Sequence, residues 1–208
     1  MINERALDAL REKVSESEGK KRFSHTLGVE RAARTLGALL LPEKICELAA
    51  AALLHDITKE FSFEKQLKSC EEFGIILGRY DHMSPSVLHA MTGEGYIKKH
   101  FPEFADEEVL SAVRKHTTGD ENMSVFDKII FIADYIEDGR TYPECINVRE
   151  MLLTGLENET AEARLSRLDA AVIAALDNTV RELLEKGKII SEKTFMARNS
   201  IIASKNRS

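Results

Sequence analysis

The chain has no tryptophan, four prolines and 11 glycines among 208 residues, and aromatic side chains make up only 6% of it. Tight turns rely on Gly and Pro, so a fold of many short strands joined by turns is not expected. No alternating apolar and polar run marks a strand, and there is no internal repeat or low-complexity segment. No apolar run approaches the ~20 residues that span a bilayer. Cys46, Cys70 and Cys145 are far apart, form no Cys-x-x-Cys pair and are odd in number, so they read as reduced thiols that pack as small hydrophobes. Positive charge is not in excess either: the net charge is −6. A dedicated nucleic-acid binder usually carries a basic balance, because phosphate neutralisation dominates its affinity. Nucleic acid is therefore not an expected partner, whereas a small phosphorylated ligand needs only a local basic patch. The stretch Met1 to Glu18 mixes Arg5, Arg11 and Lys13 with Glu4, Asp8 and Glu12. A signal peptide has a basic start followed by an apolar run, so a cytosolic (cytoplasmic) protein with no membrane association is expected.

What is present is ordinary for a soluble globular chain: 43% hydrophobic and 31% charged residues, and enough length to bury a core without disulfides. Apolar residues recur at helical spacing. Helices are expected over 2–14, 24–41, 42–57, 63–73, 85–101, 106–116, 124–138, 144–153 and 160–187. Pro42 and Pro85 suit first helical positions, Ser84 and Asp106 suit N-caps, and Ser124 with Asp127 forms a capping box. Residues 75–83 read as a loop, the helix after Pro85 as interrupted or bent around Gly93 and Gly95, and the tail from Lys188 as basic and weakly helical. Leu48 to Leu54 is apolar on every side, which marks its helix as central and buried. The fold class is all-α, with one domain over 1–208 and a C-terminal helical extension, 157–208, packed on it as a long helix.

Polar residues stand where this pattern calls for apolar ones. Asp134 lies within Ile129-Ile130-Phe131-Ile132-Ala133-Asp134-Tyr135-Ile136, and His55-Asp56 closes the alanine-rich helix. A lone buried carboxylate costs many kcal/mol unless it is paired or bound to a cation. Each group is compatible with a satisfied structural role, but the adjacent pair with a third buried acid downstream favours a metal centre. Neighbouring helical residues diverge by about 100°, so His55 and Asp56 can share one ion only near a helix end.

His25 in Arg22-Phe23-Ser24-His25-Thr26-Leu27-Gly28, then Leu54-His55-Asp56-Ile57-Thr58-Lys59, then Asp134-Tyr135-Ile136-Glu137-Asp138-Gly139-Arg140 together resemble the His…His-Asp…Asp signature of HD-domain metal phosphohydrolases. Val87-Leu88-His89-Ala90 and Arg114-Lys115-His116-Thr117-Thr118-Gly119 narrow the resemblance to the YqeK-type group. Asp177-Asn178-Thr179 and Ala197-Arg198-Asn199 are similar to it as well. The resemblance implies an HD-domain helical bundle, with the metal and nucleotide site within 22–140. It also implies symmetrical hydrolysis of diadenosine tetraphosphate to two ADP, with iron or a similar divalent metal held by His25, His55, Asp56 and Asp134.

Imidazole with carboxylate suits iron, manganese or zinc better than magnesium. On this reading Asp56 is both ligand and catalytic residue, orienting a water activated by the ion. Phosphoryl transfer needs positioning and charge neutralisation, which assigns Arg22, Lys59 and Arg140 to the phosphate chain. His55, Thr58, His89, His116 and Thr117 complete the expected substrate contacts. His116 is also a candidate to protonate the leaving group. His89 and His116 have two readings, ligands of a second metal or phosphate contacts beside one tightly held ion, and the second is preferred. His82 and His100 read as surface groups. Two other function classes stay open: an HD phosphohydrolase of nucleoside monophosphates or deoxynucleotides, and a non-catalytic nucleotide-binding regulator. A homodimer is compatible with all three.

Overall fold

The computed structural model describes residues 2–205. Ten α-helices follow one another: α1 Glu4–Ser17, α2 Lys20–Leu40, α3 Ile45–Leu54, α4 Phe63–Glu72, α5 Pro85–His100, α6 Glu107–Lys115, α7 Val125–Ile136, α8 Pro143–Leu153, α9 Ala161–Glu185 and α10 Glu192–Lys205. Short 3-10 turns precede α3, α5, α6 and α9, and no strand occurs among the described residues. No helix among them is long and apolar enough to cross a membrane.

Helix α3 organises the bundle. Every residue from Leu48 to Leu54 has no solvent exposure. Leu48, Ala51 and Ala52 face one core cluster with Val29, Ala33 and Leu36 of α2 and Phe126 and Ile130 of α7. Ala49, Ala50, Leu53 and Leu54 face the other, with Leu7, Leu10 and Val14 of α1 and Leu110 and Val113 of α6. The alanines let α2, α6 and α7 pack closely on α3; enlarging one would overpack the core at a cost of about 1–3 kcal/mol.

The helix boundaries differ from the sequence expectation at functionally important places. The helix expected over 42–57 is a 3-10 turn, Pro42–Lys44, followed by α3, which stops at Leu54. Beyond it the chain turns tightly, with Ile57 N–H donating to Leu54 O and Lys59 N–H to Asp56 O. That stop allows His55 and Asp56 to address the same point. Helix α5 runs unbroken through Gly93 and Gly95. The glycine at 95 serves close packing: a Cβ there would lie 2.3 Å from Phe73 Cγ. Tyr80 leads into a 3-10 turn, Asp81–Met83, inside the expected loop. The tail holds a full helix, α10, because Thr194, Ala197 and Ile201 share one face and bury it. In α9 the buried residues Leu168, Ala171, Val172, Ala175 and Leu176 recur with helical period. Capping follows the sequence at Asp106 and at the Ser124–Asp127 box.

Candidate metal centre and cleft

Five helices deliver side chains to one place. His25 comes from the middle of α2, His55 from the residue that ends α3, Asp56 from the turn after it, His116 from the end of α6, and Asp134 from the last turns of α7. His89 joins from α5. His25 Nε2 is 3.1 Å from Asp134 Oδ1, and His55 Nε2 is 3.5 Å from Asp56 Oδ2. Asp56 Oδ1 lies 3.0 Å from His89 Nε2 and 3.4 Å from His116 Nε2. The ligand atoms of His25, His55 and Asp134 all lie within 4.8 Å of one another, as do those of His55, Asp56 and His116.

Three of the imidazoles have their outer nitrogen engaged, which turns Nε2 toward the cluster. His55 Nδ1 is 2.7 Å from Ala52 O, His116 Nδ1 is 2.7 Å from Val113 O, and His25 Nδ1 is 3.1 Å from Glu137 Oε1. An Nδ1–H donor leaves Nε2 as the lone-pair site that a metal needs. His25 Nε2, His55 Nε2 and Asp56 Oδ1 are buried and make no hydrogen bond of good geometry, although polar groups of the cluster stand close to them. Each such orphan costs about 1–3 kcal/mol. The ligand atoms of His25, His55 and Asp134 form one group and those of His55, Asp56 and His116 a second that shares His55, and either is a donor set that suits a divalent cation.

The electrostatics agree. Burial pushes His55 down to about 4 and His89 down to about 3, so both are neutral near pH 7. Burial works against ionisation of Asp56, but His55, His116, His89 and Lys59 outweigh it and hold its pKa well below the carboxylate range. Asp134 is likewise opposed by burial and held well below that range by His25, His55 and Arg140. Neutral imidazoles and ionised carboxylates are the forms that ligate metal. His25 differs: burial disfavours its cation, yet the carboxylates of Asp134 and Glu137 raise its pKa overall, and a bound cation would compete with that proton.

A cleft of about 610 Å³ opens beside the cluster. Lys59, His116, Thr117, Asp134 and Arg140, all expected at the site, line it. Phe131, Tyr135, Tyr142 and Cys145 line it too, and Asn178, Thr179, Arg181, Glu182 and Glu185 of α9, with Lys186 just past its end, form a further wall. Arg22 pairs with Asp56 Oδ2 at 2.6 Å and Arg140 with Asp134 Oδ1 at 2.6 Å. Thr117 Oγ1 lies 3.1 Å from His89 Nε2 and 3.0 Å from His116 Nε2.

Thr58, expected to touch substrate, is fully buried. Its hydroxyl donates to His89 O at 2.9 Å and meets Thr92 Oγ1 at 3.0 Å, so it fixes the turn that carries Lys59. His55 is also fully buried and addresses only the cluster. Asp177-Asn178-Thr179 of α9 and the segment that holds Glu137 stood out in the sequence only as family-like, with no role assigned to Asn178, Thr179 or Glu137. Asn178 and Thr179 break an apolar stretch, which was an available signal; Glu137 reads as an ordinary acidic residue after a helix. His82 and His100 are exposed, and Cys70 and Cys145 are buried.

The HD domain family model matches residues 22–139. The chain is 33% identical over 182 residues to a symmetrical bis(5'-nucleosyl)-tetraphosphatase of Halalkalibacterium halodurans, covering 87% of this chain and 89% of the relative. It is 30% identical over 206 residues to the enzyme of the same name from Bacillus subtilis, covering 98% and 99%. A crystal structure from Clostridium acetobutylicum, described as a predicted HD superfamily hydrolase involved in NAD metabolism, superposes with a TM-score of 0.81 at 32% identity over 95% of this chain and 97% of that one. With this match, and with the His25, His55-Asp56 and Asp134 cluster at its centre, the chain belongs to the HD domain family of hydrolases.

Proposed function

We infer that this protein is a metal-dependent hydrolase that cuts diadenosine tetraphosphate symmetrically into two ADP. Relatives of that name align over nearly the whole chain. The observation that carries the reading at the level of chemistry is the pair of histidine and aspartate ligand groups that share His55, beside a cleft to which Lys59 and Arg140 contribute positive charge.

The ligands on this reading are His25, His55, Asp56 and Asp134, and the metal is iron, a choice the mixed imidazole and carboxylate donors suit. A divalent cation held there supplies charge neutralisation and a water of lowered pKa. The chain's own groups do the rest. Asp56, held between His89 and His116 on its Oδ1 side, orients the attacking water. Lys59 and Arg140 line the cleft and Arg22 stands behind it on Asp56, and on this reading the three neutralise phosphate oxygens. His116, whose Nδ1–H donates to Val113 O, presents Nε2 at the cleft beside Thr117, and it serves the leaving phosphate as the imidazolium, which gives up its Nε2 proton. One ion rather than two is favoured by Lys59 Nζ, 3.0 Å from His89 Nε2: an ammonium already supplies positive charge where a second cation would sit.

Residues 1–208 act as one unit on this reading, because α9 of the extension forms a wall of the cleft. A cellular dinucleotide substrate places the work in the cytoplasm. The test is a substrate panel on metal-analysed protein, with products separated by chromatography. Conversion of the dinucleotide to ADP alone, abolished by chelator, is expected. Release of AMP with ATP would mean attack at an outer phosphorus and overturn the placement of the phosphate chain. Turnover of monophosphates alone would move the protein to another HD hydrolase class.

A further inference from the structure

The three histidines that point Nε2 at the cluster do not hold their outer nitrogens in the same way. His55 and His116 each end a helix, and each uses the carbonyl three residues back, Ala52 O and Val113 O. Carbonyls in the last turn of a helix have no intrahelical partner, so they are available. His25 has no such neighbour. It lies in the interior of α2, Lys20–Leu40, where the surrounding carbonyls are committed to the helix itself. Its partner is instead a side chain brought from the end of α7, Glu137, with Oε1 3.1 Å from His25 Nδ1.

The fold accommodates this carboxylate with care. Glu137 is 4% exposed. Its Oε2 accepts from Gly139 N–H at 2.6 Å. Its backbone carbonyl accepts from Arg140 N–H at 2.9 Å and from Arg149 Nη2 at 2.5 Å. Two glycines make room for it. A Cβ at Gly28, one turn after His25, would lie 2.4 Å from Glu137 Oε2, and a Cβ at Gly139 would lie 2.9 Å from both carboxylate oxygens. Gly28 is helical and mid-α2, so its absent side chain serves the space and not the backbone.

We propose that Glu137 is the positioning residue of the metal centre: it holds His25 in the Nδ1–H form with Nε2 aimed at the ion, and Gly28 is the space that lets it do so. This rests on the metal reading above. Histidine ligands whose second nitrogen meets a carboxylate bind metal more tightly, and loss of such a partner typically costs about 10- to 100-fold in affinity. Glu137 acts through His25 and touches neither ion nor substrate.

The test is metal affinity, read without turnover, by competing Mn²⁺ between a chromophoric chelator and the full-length protein. Variants are Glu137→Gln, Glu137→Ala, Gly28→Ala, His25→Ala and the double variant His25→Ala with Glu137→Ala. Glu137→Ala is expected to weaken Mn²⁺ binding by about 10- to 100-fold. Glu137→Gln keeps one oxygen acceptor, which can serve His25 Nδ1–H or Gly139 N–H but not both, so it should lose affinity, though less than Glu137→Ala. Gly28→Ala should weaken binding through the displaced carboxylate. In the His25→Ala background, removing Glu137 should cost less than about threefold, since groups that act through one another are not additive. Additive losses, or Glu137→Gln and Glu137→Ala both within about twofold of the parent, would overturn the proposal. If His25→Ala itself leaves Mn²⁺ affinity unchanged, the ligand assignment of His25 falls instead, so the two failures are told apart. If Glu137→Ala does not fold, the comparison of Glu137→Gln with Gly28→Ala decides: parent-like affinity in both rejects the role.

Discussion

Lys59 Nζ stands 3.0 Å from His89 Nε2 and 3.7 Å from Asp56 Oδ1. The ammonium therefore occupies the side of Asp56 that His89 and His116 also face, where a second divalent ion would need the same three donors. Purified protein is expected to hold one equivalent of metal per chain. Lys59→Ala should lower kcat/KM by at least about 10-fold, an effect in keeping with loss of a charged contact to phosphate worth ~1.5–3 kcal/mol. Metal analysis by mass spectrometry checks the count; two equivalents in the parent protein would refute the single-ion reading.

The metal cluster itself is tested by His55→Gln and Asp56→Asn, which keep side-chain volume in sites that are almost wholly buried. Each is expected to lose more than about 100-fold in turnover, beyond what loss of a partner behind a ligand costs. Chelator should lower the Tm of the parent protein, since a ligand bound only by the native state stabilises it, and should leave the Tm of these variants unmoved. Calorimetry with and without chelator reads this directly. A parent Tm indifferent to chelator would argue that no ion is held.

Much of this centre was legible in the sequence because burial makes chemistry conspicuous. Asp134 among isoleucines, and His55-Asp56 after a run of alanines, announce themselves by being polar where the helical pattern is apolar. That α3 closes at His55-Asp56 was legible, and the structure has His55 as its C-cap; only its last residue, Leu54, was not, because the run 48–54 offers no breaker and the turn through Thr58 decides it. Thr58 misled for the same reason: a hydroxyl beside a metal motif suggests a ligand contact, but the buried loop needed it for His89 O. The roles of Glu137 and of the α9 residues Asn178 and Thr179, though not the segments that hold them, were hidden because they depend on which helix lies opposite, information that periodicity within one helix does not carry. The tail looked weakly helical because its apolar residues are few, yet Ala197 packs on the loop of Gly119.

The α9 wall should affect binding more than chemistry. Asn178 and Arg181 line the cleft away from the cluster. Arg181→Ala and Asn178→Ala are expected to raise KM about 3- to 30-fold with kcat within about threefold, the signature of contacts made equally in ground and transition states. Steady-state kinetics on the dinucleotide measures it; a fall in kcat with KM unchanged would place these groups at the reacting phosphorus.

Gly119 joins the C-terminal helix to the loop of Thr117. Its φ is +66°, and a Cβ there would lie 2.7 Å from Ala197 Cβ. Lys193 pairs with Asp120 beside it at 3.0 Å. Gly119→Ala combines a left-handed backbone with a clash and should destabilise by about 1–3 kcal/mol. For a chain of this size each kcal/mol corresponds to about 2–4 °C in Tm. A Tm within 1 °C of the parent's, on the order of measurement error, would show that α10 yields easily and does not brace the loop.

Glu18 supplies the pH dependence that stands apart from the metal ligands. It is 8% exposed, its Oε2 accepts from Thr26 Oγ1 at 2.8 Å, and its Oε1 has no partner. Burial raises its pKa to about 7; Asp56 and Glu60 add to that, while Thr26 and Arg22 offset part of it. The folded-state pKa lies above that of the unfolded chain, so the native state holds a proton that the unfolded state releases. Stability from this group is complete below about pH 4.5, declines as pH rises toward 7, and is lost above it. The full swing is at most about 3 kcal/mol. Glu18→Gln cannot ionise and escapes that decline. The Tm of the variant relative to the parent should therefore rise between pH 5 and pH 8 and then level off. A difference that stays constant across that range would mean that Glu18 titrates as an exposed carboxylate does, and that its burial at the α1–α2 junction is relieved in solution.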